Sequence, residues 1–119
     1  LSDRILFDSG SADIKPAGLN ILRRVGEVLK SRIGDLEVQV GGHTDNVPIR
    51  NRAGALGTNW GLSSARAVNV VRFFETELGI NPLLLSAVGY SEHRPIADNA
   101  TGAGRARNRR IEIVLLPRQ

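Results

Sequence analysis

Cysteine and methionine are both absent from the 119 residues, and aromatics are sparse: one Trp, one Tyr and three Phe. Without cysteine, neither a disulfide framework nor a thiolate zinc site is available. No stretch approaches the roughly 18 apolar residues that a membrane helix requires. No basic-then-apolar leader is present either. The missing Met and the start at Leu1 lead us to expect a piece of a longer or processed protein. Any signal peptide, anchor or membrane helix would lie in the missing part. The scarcity of aromatics also removes the stacking platforms on which single-strand nucleic-acid binders rely.

What the chain does have is arginine. All but two of its 16 basic residues are Arg, and the net charge is +4. Such an excess points to an anionic partner, whether nucleic acid, a lipid surface or a carboxylate-bearing polymer, or it serves solubility alone. Guanidinium forks planar carboxylates and phosphates, which lysine does not. The length fits one domain, residues 1–119, with one modest core that needs neither metal nor disulfide.

Periodicity sets the elements. Arg4-Ile5-Leu6-Phe7 reads as a short first strand, and Pro16 lies near a helix start. Leu19, Leu22, Val25, Leu29 and Ile33 recur at helical steps, and Gly34-Asp35 ends that helix. Leu36, Val38 and Val40 alternate with Glu37 and Gln39 as a half-buried strand. Residues 43–58 form a long connection without periodicity, a length that usually marks a functional loop. Thr58 or Asn59 caps a second helix with Ala67, Val70, Val71, Phe74 and Leu78 inward, and Gly79 stops it. Asn81-Pro82 turns the chain, Leu83–Leu85 adds a short helical piece, and 86–90 is a third strand. Residues 91–108 read as a second loop and 109–116 as the last strand. The order β-α-β-α-β-β predicts an α+β or α/β sandwich of two layers.

The polar groups admit several chemistries. His43, Asp45 and His93 are chemically able to ligate zinc, but the tight spacings of helix-borne zinc motifs are absent; the plainer role for His43 is to hold a loop entrance. Ser63 and Ser64 lack a nucleophile elbow, and nothing fixes the separation of Asp45 and Glu92 for glycosidic chemistry, so we expect no enzyme. Arg105, Arg107, Arg109 and Arg110 could hold phosphates, making a nucleic-acid-binding module the alternative. Asp45, just past the second strand, and Arg66, on the next helix, meet at one sheet edge. That pair suits a ligand with ammonium and carboxylate side by side, an amino acid, with Asn59 adding an amide and the helix start favouring a carboxylate. An ordinary Asp–Arg salt bridge explains the same pair equally well.

These residues also resemble a known family. GHTD at 42–45, Asn59-x-x-Leu62-Ser63-x-x-Arg66-Ala67, Gly89-Tyr90, Pro95, Asn99, Gly104-Arg105 and Asn108-Arg109-Arg110-Ile111-Glu112-Ile113 are similar to the OmpA-like C-terminal domain. The resemblance runs from about Phe7 to Leu116. It implies a β-α-β-α-β-β fold with a mixed four-stranded sheet of order 1-4-2-3 and helices on one face. It further implies non-covalent binding of peptidoglycan through the diaminopimelate of the stem peptide, anchoring an envelope protein to the cell wall, with no cofactor, no metal and no turnover. The family's ligand residues fall on Asp45, Arg66, Asn59 and Arg109, with Thr44 of the same GHTD motif beside them. Gly10 stands where some members carry an Asn. The long 47–58 loop and the run NVPI resemble the MotB-like branch, which implies a periplasmic domain of a flagellar stator attached through the missing N-terminal region. A second copy of the chain is a further candidate partner.

Overall fold

The computed structural model describes residues 1–49 and 57–118. The elements run α1 (Asp3–Leu6), α2 (Pro16–Arg32), β1 (Leu36–His43), α3 (Asn59–Thr76), a 3-10 turn at Pro82–Leu84, β2 (Leu85–Gly89), α4 (Gly102–Asn108) and β3 (Arg110–Pro117). The expected 43–58 connection is described only in part, because 50–56 lie outside the described residues. Among the described residues, no helix is long and apolar enough to cross a membrane.

The sheet has three strands, in the order β2-β1-β3. β1 pairs parallel with β2, Val40 facing Ala87, and antiparallel with β3, Val40 facing Ile113. The expected four-stranded sheet is therefore corrected. The neighbour relations of its last three strands are kept, but Arg4–Phe7 is not a strand. Ser2 takes an N-cap position, its hydroxyl accepting from Arg4 N, and Asp3 sits in the first turn, so the segment coils into α1. The chain still runs along the edge of β3 before coiling. Leu1 exchanges two backbone bonds with Ile111, and Ser2 bridges Arg110. A run of three apolar residues is too short for periodicity to separate helix from strand.

A second correction concerns residues 91–108, read as loop. Their last third is α4, whose Thr101 hydroxyl caps Gly104 N. The helix has seven residues, two of them Gly and none from an apolar stripe, so it leaves no hydrophobic signature. Asn108 at its end is fully buried and staples the preceding loop. Its Oδ1 accepts from Ile96 N and Ala97 N, and its Nδ2 donates to Ala97 O and Asn99 Oδ1.

Alternation in β1 puts Val38 and Val40 on one face, and both are fully buried. They join Leu22 and Leu29 of α2 and Ala67, Val70 and Phe74 of α3 in one core, so both long helices cover that face. The register places Gly42 opposite Gly89 on the same face, and α3 crosses there. A Cβ at Gly42 would lie 2.1 Å from Ser63 O, and one at Gly89 would lie 2.1 Å from Ser64 Oγ. Two facing glycines thus let the first turns of α3 rest on the strand ends. The opposite face carries His43, which stacks on Tyr90 at 4.8 Å. Its Nε2 lies 3.5 Å from Glu112 Oε1, and among the described residues neither ring nitrogen has a hydrogen-bond partner.

Two expectations follow. Gly42→Ala forces α3 off the sheet and lowers stability by about 2–3 kcal/mol in denaturant melts, the cost of overpacking a fixed backbone contact. Burial, and then the Arg110 cation, lowers the His43 pKa from 6.5, with Glu112 opposing them incompletely. The fold prefers the neutral ring, the unfolded chain binds the extra proton, and stability falls as pH drops below 6.5. Thermal melts across that pH range should show the slope in the wild type and a flatter one in His43→Gln.

Candidate functional site

Four elements converge at one end of the sheet. β1 delivers Thr44 and Asp45 just past its last residue. α3 delivers Asn59 from its first turn and Arg66 from its third. The junction of α4 and β3 delivers Arg109. All five residues singled out in the sequence line one cavity of about 730 Å³, together with Asp3 of α1.

The pairing within this group differs from the simplest expectation. Asp45 does not pair directly with Arg66. Its Oδ2 accepts from Arg109 Nη1 at 2.7 Å, and its Oδ1 accepts from Val47 N at 3.0 Å. Arg66 instead donates from Nη1 to Asp3 Oδ2 at 3.3 Å, from Nε to Ser11 O at 2.8 Å and from Nη2 to Asp8 O at 3.1 Å. The face of its guanidinium covers the Phe7 ring at 4.6 Å. Asp3 Oδ2 also lies 3.5 Å from Arg109 Nε. The outcome is a chain of alternating charge, Asp45–Arg109–Asp3–Arg66, with two carboxylates and two guanidiniums.

Burial divides the roles. The Arg66 side chain is 4% exposed and that of Arg109 is 30% exposed, so Arg109 presents the accessible guanidinium. Burial lowers the Arg66 pKa, and the neighbouring Asp3 carboxylate offsets part of that effect. Burial also pulls Arg109 down, but the hydrogen bond to Asp45 and the charges of Asp3 and Asp45 outweigh it, and its pKa rises. Both stay cationic at any physiological pH. Asn59 Nδ2 donates to Val47 O at 3.2 Å and lies 3.4 Å from Asp45 O, tying the helix start to the 45–47 segment. Thr44 Oγ1 donates to Asp45 O at 2.8 Å, so it shapes the backbone around the carboxylate.

Asp3 is the site residue that sequence reasoning missed. It sits 63 positions from Arg66, and only the return of the N-terminal segment along β3 brings the two together. Other candidates disperse. His43 stacks on Tyr90, Asp45 turns to Arg109, and His93 packs against Trp60. Among the described residues, no cluster of three or more His, Asp or Glu is disposed to hold a metal. Ser63 is buried, donating to Trp60 O and accepting from Ser91 N. Of the four arginines at 105–110, Arg105 and Arg109 both line the cavity, Arg107 is exposed, and Arg110 is buried against Glu112, Asn108 O and Arg94 O. They do not form one exposed basic stripe.

Several known proteins resemble this chain over nearly its whole length. Motility protein B of Bacillus subtilis is 36% identical over 118 residues, which is 99% of this chain and 44% of that protein. The peptidoglycan-binding protein ArfA of Mycobacterium tuberculosis is 39% identical over 111 residues, 93% of this chain and 32% of that protein. The chain therefore spans less than half the length of these relatives. The solved structure of the cell wall anchor of the T6SS from Pseudomonas aeruginosa superposes with a TM-score of 0.86 at 34% identity, covering 100% of this chain and 79% of that one. Residues 6–109 match the OmpA family, and the chain is a member of it.

Proposed function

We propose that this domain binds peptidoglycan non-covalently, taking the ammonium–carboxylate end of a stem-peptide diaminopimelate into the cavity. The observation that carries the reading is the convergence of Asp45, Arg66 and Arg109 on one cavity in an OmpA-family chain. An amino-acid end group carries both charges within one small unit, and the cavity offers both complements side by side. Asp45 accepts hydrogen bonds from the ammonium. Arg109, the more exposed guanidinium, meets the carboxylate first, and Arg66 contributes its remaining N–H groups from behind. Asn59 and Thr44 hold the Asp45 backbone in place.

Charge-assisted bonds of this kind contribute roughly 1.5–3 kcal/mol each. Two of them on a small, exposed ligand give a weak single-site Kd of about 0.1–1 mM. Firm attachment then comes from many copies facing a repetitive polymer. A lysine side chain lacks the second carboxylate and binds more weakly. The named relatives are binding, motility and anchoring proteins rather than enzymes. By the same reading the domain sits in the periplasm as part of a longer envelope protein, and the likeness to Motility protein B favours a stator component as its parent.

Sedimentation with purified, diaminopimelate-containing cell wall tests this. Asp45→Ala and Arg109→Ala should each leave most of the protein in the supernatant, while the wild type pellets. Equal pelleting of all three would remove the site from the account. Asp3→Asn should behave in the opposite sense. It removes the carboxylate that competes for both guanidiniums, so affinity for the ligand rises several-fold while stability falls by about 3 kcal/mol. Calorimetric titration and a thermal melt of that variant separate the two effects.

A further inference from the structure

The last rung of the β1–β3 ladder pairs His43 with Arg110. The Asp45–Arg109 ion pair of the cavity stands immediately beyond that rung, Asp45 just past His43 on one chain and Arg109 just before Arg110 on the other. Whatever disturbs the rung is therefore felt at the charged groups of the cavity.

His43 is a costly residue for such a position. Its side chain is 3% exposed and stacks on Tyr90. Among the described residues, neither ring nitrogen has a hydrogen-bond partner. Buried polar atoms without partners cost stability, and those that persist in a fold call for a reason. Stacking does not supply one, because a phenyl ring stacks on Tyr90 without stranding two nitrogens.

The charges around the ring are set against a proton. Strand β3 contributes Arg110 and Glu112, and the segment after β2 contributes Arg94, whose guanidinium lies 4.7 Å from the centre of the Tyr90 ring. The N-terminal segment adds the Leu1 ammonium, whose charge acts on Glu112. Among the described residues, Glu112 is the one carboxylate acting on His43, and it is already engaged. Its Oε2 accepts from Arg110 Nε, while its Oε1 stands 3.5 Å from His43 Nε2. Burial raises the Glu112 pKa, but the hydrogen bond and charge of Arg110 outweigh it and bring the net value down. Burial and then Arg110 lower the His43 pKa, against Glu112 and with a further push from Arg94. A proton arriving at Nε2 draws Glu112 away from Arg110. Arg110 then keeps its bonds to Asn108 O at 3.1 Å and Arg94 O at 3.0 Å, and it faces a second cation across the rung.

We propose that His43 is a proton-sensitive latch on the cavity: its protonation parts the His43–Arg110 rung, misaligns Asp45 and Arg109, and weakens the grip on an ammonium–carboxylate ligand. The proposal rests on the peptidoglycan reading above and adds the regulation of that site by pH. The neutral ring belongs to the gripping state, so affinity holds above pH 6.5 and declines below it as the ring takes up a proton. By reciprocity, a bound ligand makes His43 harder to protonate.

Titration calorimetry with meso-diaminopimelate at about pH 7 and about pH 5 tests the latch, with circular dichroism to confirm that the protein is folded at both. The wild type should lose about fivefold in affinity at the lower pH, the small end of couplings between sites. His43→Phe keeps the ring stack and cannot take a proton, so it should bind like the wild type at the higher pH and lose little at the lower. His93→Gln should keep the full loss. In the wild type, the NMR resonances of the His43 ring should titrate at lower pH with saturating ligand than without it, a displacement that a merely structural histidine would not show. Should His43→Phe fail to fold, that wild-type displacement decides alone. The same loss in wild type and His43→Phe, or a His43 titration that the ligand leaves in place, would overturn the latch and leave the cavity standing as the binding site. Failure of the wild type to bind meso-diaminopimelate at the higher pH would overturn the peptidoglycan reading, and the latch with it.

Discussion

The Asp3 carboxylate contacts Arg66 on α3 and Arg109 at the start of β3, and Arg109 in turn holds Asp45 at the end of β1. This alternation of charge joins four separate elements at the mouth of the cavity. Two guanidiniums side by side would repel, and Arg66 alone, almost wholly out of water, would be costly to leave unpaired. Removing one partner from such a buried set costs about 3–5 kcal/mol, because it strands the charge that remains. The cavity is therefore held open and polar by interactions that are already satisfied without ligand. On the proposed function, an incoming zwitterion meets groups fixed in position and adds its own charges to an existing pattern.

That pattern depends on how closely α3 approaches the sheet. Gly42 and Gly89 face each other on adjacent strands, and the helix backbone occupies the space where their side chains would stand. From this contact the helix projects Arg66 back toward α1, while Thr58 caps the same helix and Asn59 reaches the 45–47 segment. The Ser63 hydroxyl, close to the glycine contact, also fixes the backbone of Ser91. One crossing thus positions both the cavity and the backbone at Ser91. The weak two-charge grip that we propose would suit anchoring to a polymer, where repeated contacts supply strength and each remains reversible.

Much of this was legible in the sequence, for specific reasons. The helical steps from Leu19 to Ile33 and from Ala67 to Leu78 gave α2 and α3, because long apolar stripes determine period unambiguously. Alternation at Leu36, Val38 and Val40 gave β1. Asp45 and Arg66 could be placed at one edge because a strand end and the following helix start meet there. Their partners could not be placed, since pairing across the cavity is set by Asp3, far away along the chain and just ahead of a segment that looked like a strand. α4 stayed hidden because two glycines and three arginine or asparagine positions carry no apolar rhythm. Two of the deciding contacts are made at a distance along the chain, a stapling asparagine and a carboxylate shared by two arginines, while the third, the Ser2 cap of α1, is local but sits on too short an element to show a period.

The central claim is that the cavity recognises the zwitterionic end of diaminopimelate. An NMR titration of the isotope-labelled domain with meso-diaminopimelate, run in parallel with lysine blocked as its Nα-acetyl amide so that only the side-chain ammonium is free, tests it most directly. The account predicts saturable shifts of the Val47 amide, which donates to Asp45, and of the Arg109 and Arg66 side-chain Nε–H groups, with lysine producing much smaller changes at the same ligand concentration. Identical responses to the two ligands, or shifts that avoid these groups, would contradict it and leave the Asp3–Asp45–Arg66–Arg109 network as a structural device alone.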